Sequence, residues 1–276
     1  MTSKQSFAAG CVILIGFSFG LNAQQASAPT IDEVLERLDA NLNRYDRDLP
    51  SLFCDEHVVS QMEPGGRDAD TVTDSLFRLE RTAGPEHTTS LEESREIKSV
   101  NGRAADSQDM EGPSLVSGVF EGGLAVVSAN QKTCMKYTLE KRKRNRVDEP
   151  YVVRFATALT EENSAGCLLQ EKSEGRVVID PRSMQITRLE LTTPHHVIVH
   201  GSPYASPVVG KRVLTVEYAP VVLGGQTFWL PTAISQRSVG DANTFHATVW
   251  TYKASYRNCH RTEVTSRILP GGAATQ

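Results

Sequence analysis

Beyond its first residues, the sequence has no apolar run approaching the roughly 20 residues that a membrane-spanning helix needs. It has no closely spaced cysteine pair: after Cys11 come only Cys54, Cys134, Cys167 and Cys259, the nearest two more than thirty residues apart. That spacing excludes zinc sites of the CxxC type and thioredoxin-like redox motifs. There is no HExxH, so the usual metalloprotease constellation is missing, and no GxSxG, so a serine has no nucleophile elbow. There is no surplus of positive charge either. The formal net charge is -4, and it becomes -5 if Lys4 is removed with a leader. A mildly acidic chain is a poor partner for nucleic acid. No internal repeat and no interdomain linker interrupts the pattern.

What is present begins with a compartment signal. Lys4 gives a positive start, Phe7 to Leu21 is apolar and uncharged, and Ala23 ends a run with small residues at its cleavage position. This is the layout of a secretory leader, residues 1–23. Ala26-Ser27-Ala28 offers a second cleavage site but is followed by Pro29. Ala8-Ala9-Gly10-Cys11 has the look of a lipoprotein box, yet almost no apolar segment precedes it, so Cys11 is read as part of the leader. The expected location is periplasmic or secreted. About 250 residues remain, enough for a sizeable core. They are expected to form one domain, 24–269, with a disordered tail at 270–276.

Four cysteines in an oxidising compartment point to two disulfides, with three possible connectivities. The preferred pairing joins Cys54 to Cys259, the first and last strand patterns, and Cys134 to Cys167.

Thr30 and Glu33 have capping-box spacing. Ile31, Val34, Leu35, Leu38, Leu42 and Tyr45 then recur on one helical face, and Leu49-Pro50 stops the helix. From Leu52 onward the chain reads mostly as strands. These are 52–62, 75–81, 88–100, 133–140, 151–158, 168–171, 176–180, 185–192, 211–218, 227–230 and 232–238, with a long last run over 243–268. Arg67 to Thr73 reads as a polar loop. Pro113 to Ser128 reads as one or two short helices weakened by Gly118, Gly122 and Gly123. Asn101-Gly102, Asp180-Pro181 and Gly224-Gly225 are turn signals. Many strands joined by tight turns pair antiparallel, and so many must curl. The expected fold is mainly β: a strongly curved antiparallel sheet, a half-open barrel, with the N-terminal amphipathic helix and short helices covering the concave face.

Within this order lies GRVVIDPRSMQITRLEL, Gly175 to Leu191. It resembles the Gly…Asp-Pro…Arg-hydrophobic-Glu hairpin of bacterial lipoprotein-localisation proteins, the LolA/LolB-like superfamily. VEYAPVVLGGQTFWLP and YKASYRNCH are similar to strands of secreted bacterial proteins with that architecture. The resemblance implies a carrier without catalytic residues, whose curved sheet wraps an apolar cavity for an acyl chain or a lipoprotein. Its implied partners are a lipid, a lipoprotein or another envelope protein. It implies no cofactor, no enzymatic activity and no integral membrane span. The chain is longer than the typical carrier around Thr193 to Val209. Physically the hairpin reads as scaffold: Pro181 presets the turn, Asp180 bonds the backbone ahead, and a bulge is expected near Thr187 because Ile186 is out of step with Leu189.

The aromatic-rich C-terminal half supplies the candidate lining of such a cavity. Phe228, Trp229, Trp250 and Tyr252 are its expected residues, with Phe245 and Tyr256 nearby. Two other classes stay open: a filled structural or interaction protein, and a metal-dependent hydrolase using His195, His196 and His200. The basic run Lys141 to Arg146 reads as a solvated hairpin tip between Tyr137 and Tyr151.

Overall fold

A computed structural model describes residues 29–62, 69–83, 89–104, 118–122, 124–142, 148–196, 208–240 and 250–262. The expected leader and tail lie outside the described residues, as do His200 and Phe245.

Helix α1 (Ile31–Asp48) starts at the expected capping box: Thr30 Oγ1 accepts from Glu33 N and the Glu33 carboxylate accepts from Thr30 N at 2.7 Å. It buries Val34, Leu35, Leu38 and Tyr45. Arg81 Nε donates to the carbonyl of Leu49 at 2.8 Å, satisfying an end group that the helix leaves over.

The strands are β1 (Leu52–Met62), β2 (Ala69–Ala83), β3 (Thr89–Val100), β4 (Arg103–Ala104), β5 (Met135–Leu139), β6 (Tyr151–Thr157), β7 (Glu174–Ile179), β8 (Ile186–His196), β9 (Val208–Leu223), β10 (Gln226–Gly240) and β11 (Trp250–Arg261). Between β4 and β5 lie α2 (Val119–Gly122) and two 3-10 turns, Ala125–Val127 and Ala129–Gln131. All eleven strands form one antiparallel sheet in the order β4-β3-β2-β1-β11-β10-β9-β8-β7-β6-β5. β4 and β5 are its two edges, so the curved sheet is a half-open barrel, as expected, rather than a closed one.

Turn chemistry fixes several registers. Asn101 and Gly102, both at positive φ, close the two-residue turn from β3 to β4, and Gly224 and Gly225 do the same from β9 to β10. In the Gly175–Leu191 hairpin, Asp180 Oδ2 accepts from Ser183 N at 2.8 Å and from Ser183 Oγ at 2.7 Å. Those bonds hold its carboxyl below the usual range and leave Asp180 as a turn-former. Val178 pairs with Arg188 but Ile179 with Ile186, so Thr187 is the extra residue of the expected bulge. Gly175 is required here by close approach. A Cβ on it would lie 2.1 Å from the Glu190 carbonyl oxygen and 2.4 Å from the Phe155 ring.

Four readings of the sequence need correction. Ala69 to Thr73 is not loop but the start of β2, paired with β1 from Met62 to Val58. Leu168 to Glu171 is not a strand: it is irregular chain tethered through Cys167, with Leu168 N bonded to Gln131 Oε1. The two short strands around Pro231 are one, because a bulge at Thr232 lets the ladder continue past the proline. The run from Asn243 is ordered strand at Trp250–Arg261, and its flanks lie outside the described residues.

Candidate functional site

The ladder registers sort the side chains of one face into rows. Leu189, Val216, Ile234, Ala254 and Val58 stand opposite one another across β8, β9, β10, β11 and β1, all buried. This apolar row belongs to the core that α1 covers. The helix is tied down at separate points. Asn41 Nδ2 donates to the Met184 carbonyl at 2.6 Å, Asp39 accepts from Ala129 N at 2.8 Å, and Tyr45 Oη donates to the Phe120 carbonyl at 3.0 Å. Between helix and sheet is a slot lined by Leu38, Leu42, Leu124, Ile186, Tyr218 and Trp229. Its volume is about 20 Å³, room for about one water. The buried Tyr218 hydroxyl beside it has no hydrogen-bond partner among the described residues, and burial raises its pKa far above the ordinary tyrosine value.

One row along, toward β2 and β3, the same face carries charge. Glu56 is fully buried. Arg95 Nε lies 2.9 Å from both of its carboxylate oxygens, Ser75 Oγ donates to it at 2.6 Å and Tyr256 Oη at 2.9 Å. Arg95 also lies 3.7 Å from the Glu93 carboxylate, whose other oxygen accepts from Phe120 N at 3.0 Å. The guanidinium sits 5.0 Å from the centre of the Phe77 ring, which packs with Phe120 and Tyr256. Although burial opposes the charge on Arg95, the Glu56 carboxylate holds it firmly protonated. Burial is also the main cause of the raised Tyr256 pKa, with the Glu56 charge second.

At the other end of the same strands the face is polar without charge. Ser60 pairs with Tyr252 and Tyr252 with Gln236; Ser238 is the next residue along β10 on that side, and Thr73 stands beside Val58 on β2. All five are buried. Thr73 Oγ1 and Ser238 Oγ have no hydrogen-bond partner among the described residues. A buried hydroxyl left without one costs about 1–3 kcal/mol, so two on one face call for an explanation.

Of the expected cavity lining, Phe228, Trp229 and Tyr252 do not share one pocket. Phe228 is packed into the core. Trp229 lines the slot under α1. Tyr252 is fully buried within the polar band. Trp250 pairs in register with Met62 and Ser238. The disulfides join Cys54 to Cys259, between adjacent strands β1 and β11, and Cys134 to Cys167. Of the histidines, His196 Nε2 lies 2.7 Å from the Glu171 carboxylate, and burial, then the Arg212 charge, lowers the pKa of His195. Among the described residues no three His, Cys, Asp or Glu side chains form a group that could hold a metal ion. At the start of the basic run Arg142 bonds the Glu149 carbonyl and stacks 4.4 Å from the Tyr151 ring, so that arginine is part of the β5–β6 hairpin. The sequence reading missed the Glu56 cluster. Its one available signal was charge breaking the inward alternation of β1, at Glu56 between Cys54 and Val58.

The opposite face carries two shallow grooves of about 490 Å³ and 450 Å³, lined mainly by polar and charged side chains such as Arg154, Arg176, Glu190, Arg237 and Lys253. Arg176 and Glu190 are paired at 2.6 Å there. No helix among the described residues is long and apolar enough to cross a membrane.

No protein family and no curated protein matches the sequence. Among solved structures, the chain is similar to a domain given as a candidate outer membrane lipoprotein-sorting protein from Vibrio parahaemolyticus. Identity is 11%, coverage 83% of this chain and 92% of that one, and the TM-score 0.37. It is also similar to a DUF1329 family protein from Desulfovibrio piger ATCC 29098, at 9% identity, 87% and 96% coverage, and a TM-score of 0.40. At these scores the likeness carries no argument about what this chain binds.

Proposed function

We propose that this is an extracytoplasmic carrier that takes an apolar chain between α1 and the apolar row of the sheet. One observation carries the reading. The sheet is not closed, and among the described residues α1, α2 and the 3-10 turns between β4 and β5 cover the apolar side of the sheet. Lifting such a roof exposes apolar surface but breaks no strand pairing, so the core can open for a ligand while the barrel stays intact. The two disulfides support an oxidising compartment. The Gly175–Leu191 hairpin, with its resemblance to lipoprotein-localisation proteins, supports the carrier type. A second reading, a filled-core interaction protein of the envelope, is favoured by the size of the slot, which admits about one water and no acyl chain until α1 moves.

The experiment is titration of the mature protein with the neutral methyl ester of brominated oleate while following tryptophan fluorescence, beside native mass spectrometry of protein purified from the envelope. Trp229 lines the slot, so saturable quenching and a bound lipid-sized mass are expected. No saturable quenching and a bare mass would overturn the carrier reading in favour of the filled core.

A further inference from the structure

We infer that the polar band on β2, β1, β11 and β10 receives the uncharged, hydrogen-bonding head of the carried molecule, and the neighbouring apolar row its tail. The inference rests on the carrier reading. Its basis is the juxtaposition on the covered face of buried Ser60, Tyr252 and Gln236 in the row next to Leu189, Val216, Ile234, Ala254 and Val58, with buried Ser238 one row further along β10 and buried Thr73 beside Val58 on β2.

An inward band with this many hydroxyl and amide groups is unusual in a core, where polar groups are normally paired. Here Thr73 Oγ1 and Ser238 Oγ have no hydrogen-bond partner among the described residues, though both residues are almost wholly buried. They stand at opposite ends of the band, on strands three places apart in the sheet. With strands about 5 Å apart, the band is on the order of 15 Å wide before curvature. That suits a head with several oxygen atoms rather than a single carbonyl.

The head is neutral because of the charge across the apolar row, where Glu56 lies two residues from Val58 and Ser75 two residues from Thr73. Glu56 and Glu93 both face Arg95, so the local cation is already shared between two carboxylates. An anionic head would meet net negative charge from this cluster in a buried setting, with the cluster's arginine already paired. Ester and hydroxyl oxygens need only the donors and acceptors that the band supplies. The chemistry thus fits an acylglycerol or a glycolipid head on an apolar tail.

The test measures binding of monoolein, of dodecyl maltoside below its micellar concentration, and of oleate, to the full mature chain and to Thr73→Val, Ser238→Ala and Thr73→Ser. Urea unfolding of each protein without ligand accompanies it. Each hydroxyl removed is expected to weaken binding of the neutral-head ligands about 3- to 10-fold. Oleate affinity stays within about twofold, and Thr73→Ser keeps the neutral-head affinity. The unfolding midpoint of Thr73→Val and Ser238→Ala holds or rises, since each removes a buried polar group that has no protein partner. Preference for monoolein assigns the glycerol ester head, and preference for the maltoside a sugar head. Neutral-head affinity that does not change, or a midpoint that falls, overturns the inference. Wild-type protein that binds oleate but neither neutral ligand also overturns it and leaves the carrier standing. Protein that binds none of the three overturns the carrier reading itself.

Discussion

Replacing Arg95 by Met tests whether the charged cluster holds the fold at its centre. Arg95 and Glu56 are almost fully withdrawn from water, with side chains 8% and 0% exposed. Arg95→Met leaves the Glu56 carboxylate buried, with only the Ser75 and Tyr256 hydroxyls as donors. Breaking a buried pair from one side costs about 3–5 kcal/mol, because the remaining charge has lost its partner. Glu56→Gln leaves the converse problem. The guanidinium keeps Glu93 at 3.7 Å but loses the Glu56 charge, and the new amide offers it one acceptor oxygen where the carboxylate offered two. The double variant Glu56→Gln with Arg95→Met has neither buried charge, and its amide oxygen still accepts from a hydroxyl. It is expected within about 2 kcal/mol of the wild type, since a neutral replacement of a buried pair is often tolerated. Urea unfolding of the four proteins gives the coupling directly. If the single losses simply add in the double variant, within about 0.5 kcal/mol, the pair is not interacting and the reasoning fails.

Other positions carry separate expectations. Gly175→Ala sets a Cβ against the Glu190 carbonyl and the Phe155 ring, and should destabilise by about 1–3 kcal/mol as overpacking does. Adding Phe155→Leu should recover only the ring's share, and an unchanged unfolding midpoint for the single variant would refute the close approach. The Cys54–Cys259 link closes a separation of 205 residues and Cys134–Cys167 one of 33. The loop-entropy relation gives about 5 and about 4 kcal/mol respectively. The paired Cys→Ala variants should therefore rank in that order by denaturant unfolding, and the reverse order would refute an entropic origin. Burial lowers the His195 pKa below 6.5. The folded state thus binds fewer protons than the unfolded one below that pH, and stability should fall as pH drops from about 6.5 through the folded pKa. A proton NMR titration of the His195 ring with a midpoint at or above 6.5 would refute this.

Local chemistry made most of the scaffold legible. The Thr30–Glu33 box set the start of α1, Asn101-Gly102 and Gly224-Gly225 set two hairpins, and the step between Ile186 and Leu189 located the bulge at Thr187. Each of these depends on neighbours within a few residues. The errors came where distant partners decide. Ala69 to Thr73 is polar enough to read as loop, but β1 supplies a ladder for it. Leu168 to Glu171 has a strand's composition and no strand beside it. The candidate site suffered most for the same reason. Glu56, Ser75, Arg95 and Tyr256 are as far as 200 residues apart in sequence; Ser75 and Arg95 read alone as ordinary strand residues, Glu56 as a lone charge on the inward side of β1, and Tyr256 as one more C-terminal aromatic. Only the register of β3-β2-β1-β11 puts them on one inward patch. Phe228, Tyr252 and Tyr256 were legible as buried, but their separate places were not. Consecutive Phe228 and Trp229 take different places, one in the core and one at the slot.

The topology explains why the roof exists where it does. β4 and β5 follow one another among the strands of the chain, yet they are the opposite edges of the sheet. The chain between them must therefore travel the full width of the half-open barrel. It does so over the covered face: Phe120 of α2 meets Phe77 on β2 and Tyr256 on β11, and Ala129 is bonded to Asp39 of α1. The crossing is thus a consequence of strand order, and α1 packs beside it to cover the apolar remainder. The same order accounts for the seam. β1 and β11 bring the two ends of the described chain together in mid-sheet, and Cys54–Cys259 ties them there. At one edge the two-residue β4 pairs only with Ser99 and Val100, so among the described residues the rest of β3 has no strand on its outer side; at the other edge stands β5, five residues long. The sheet is cross-linked at its centre, and the covering elements are attached by side-chain hydrogen bonds and apolar contact. On the proposed carrier reading this division matters, because the cover lifts while every strand pair is kept, which a filled structural core does not require.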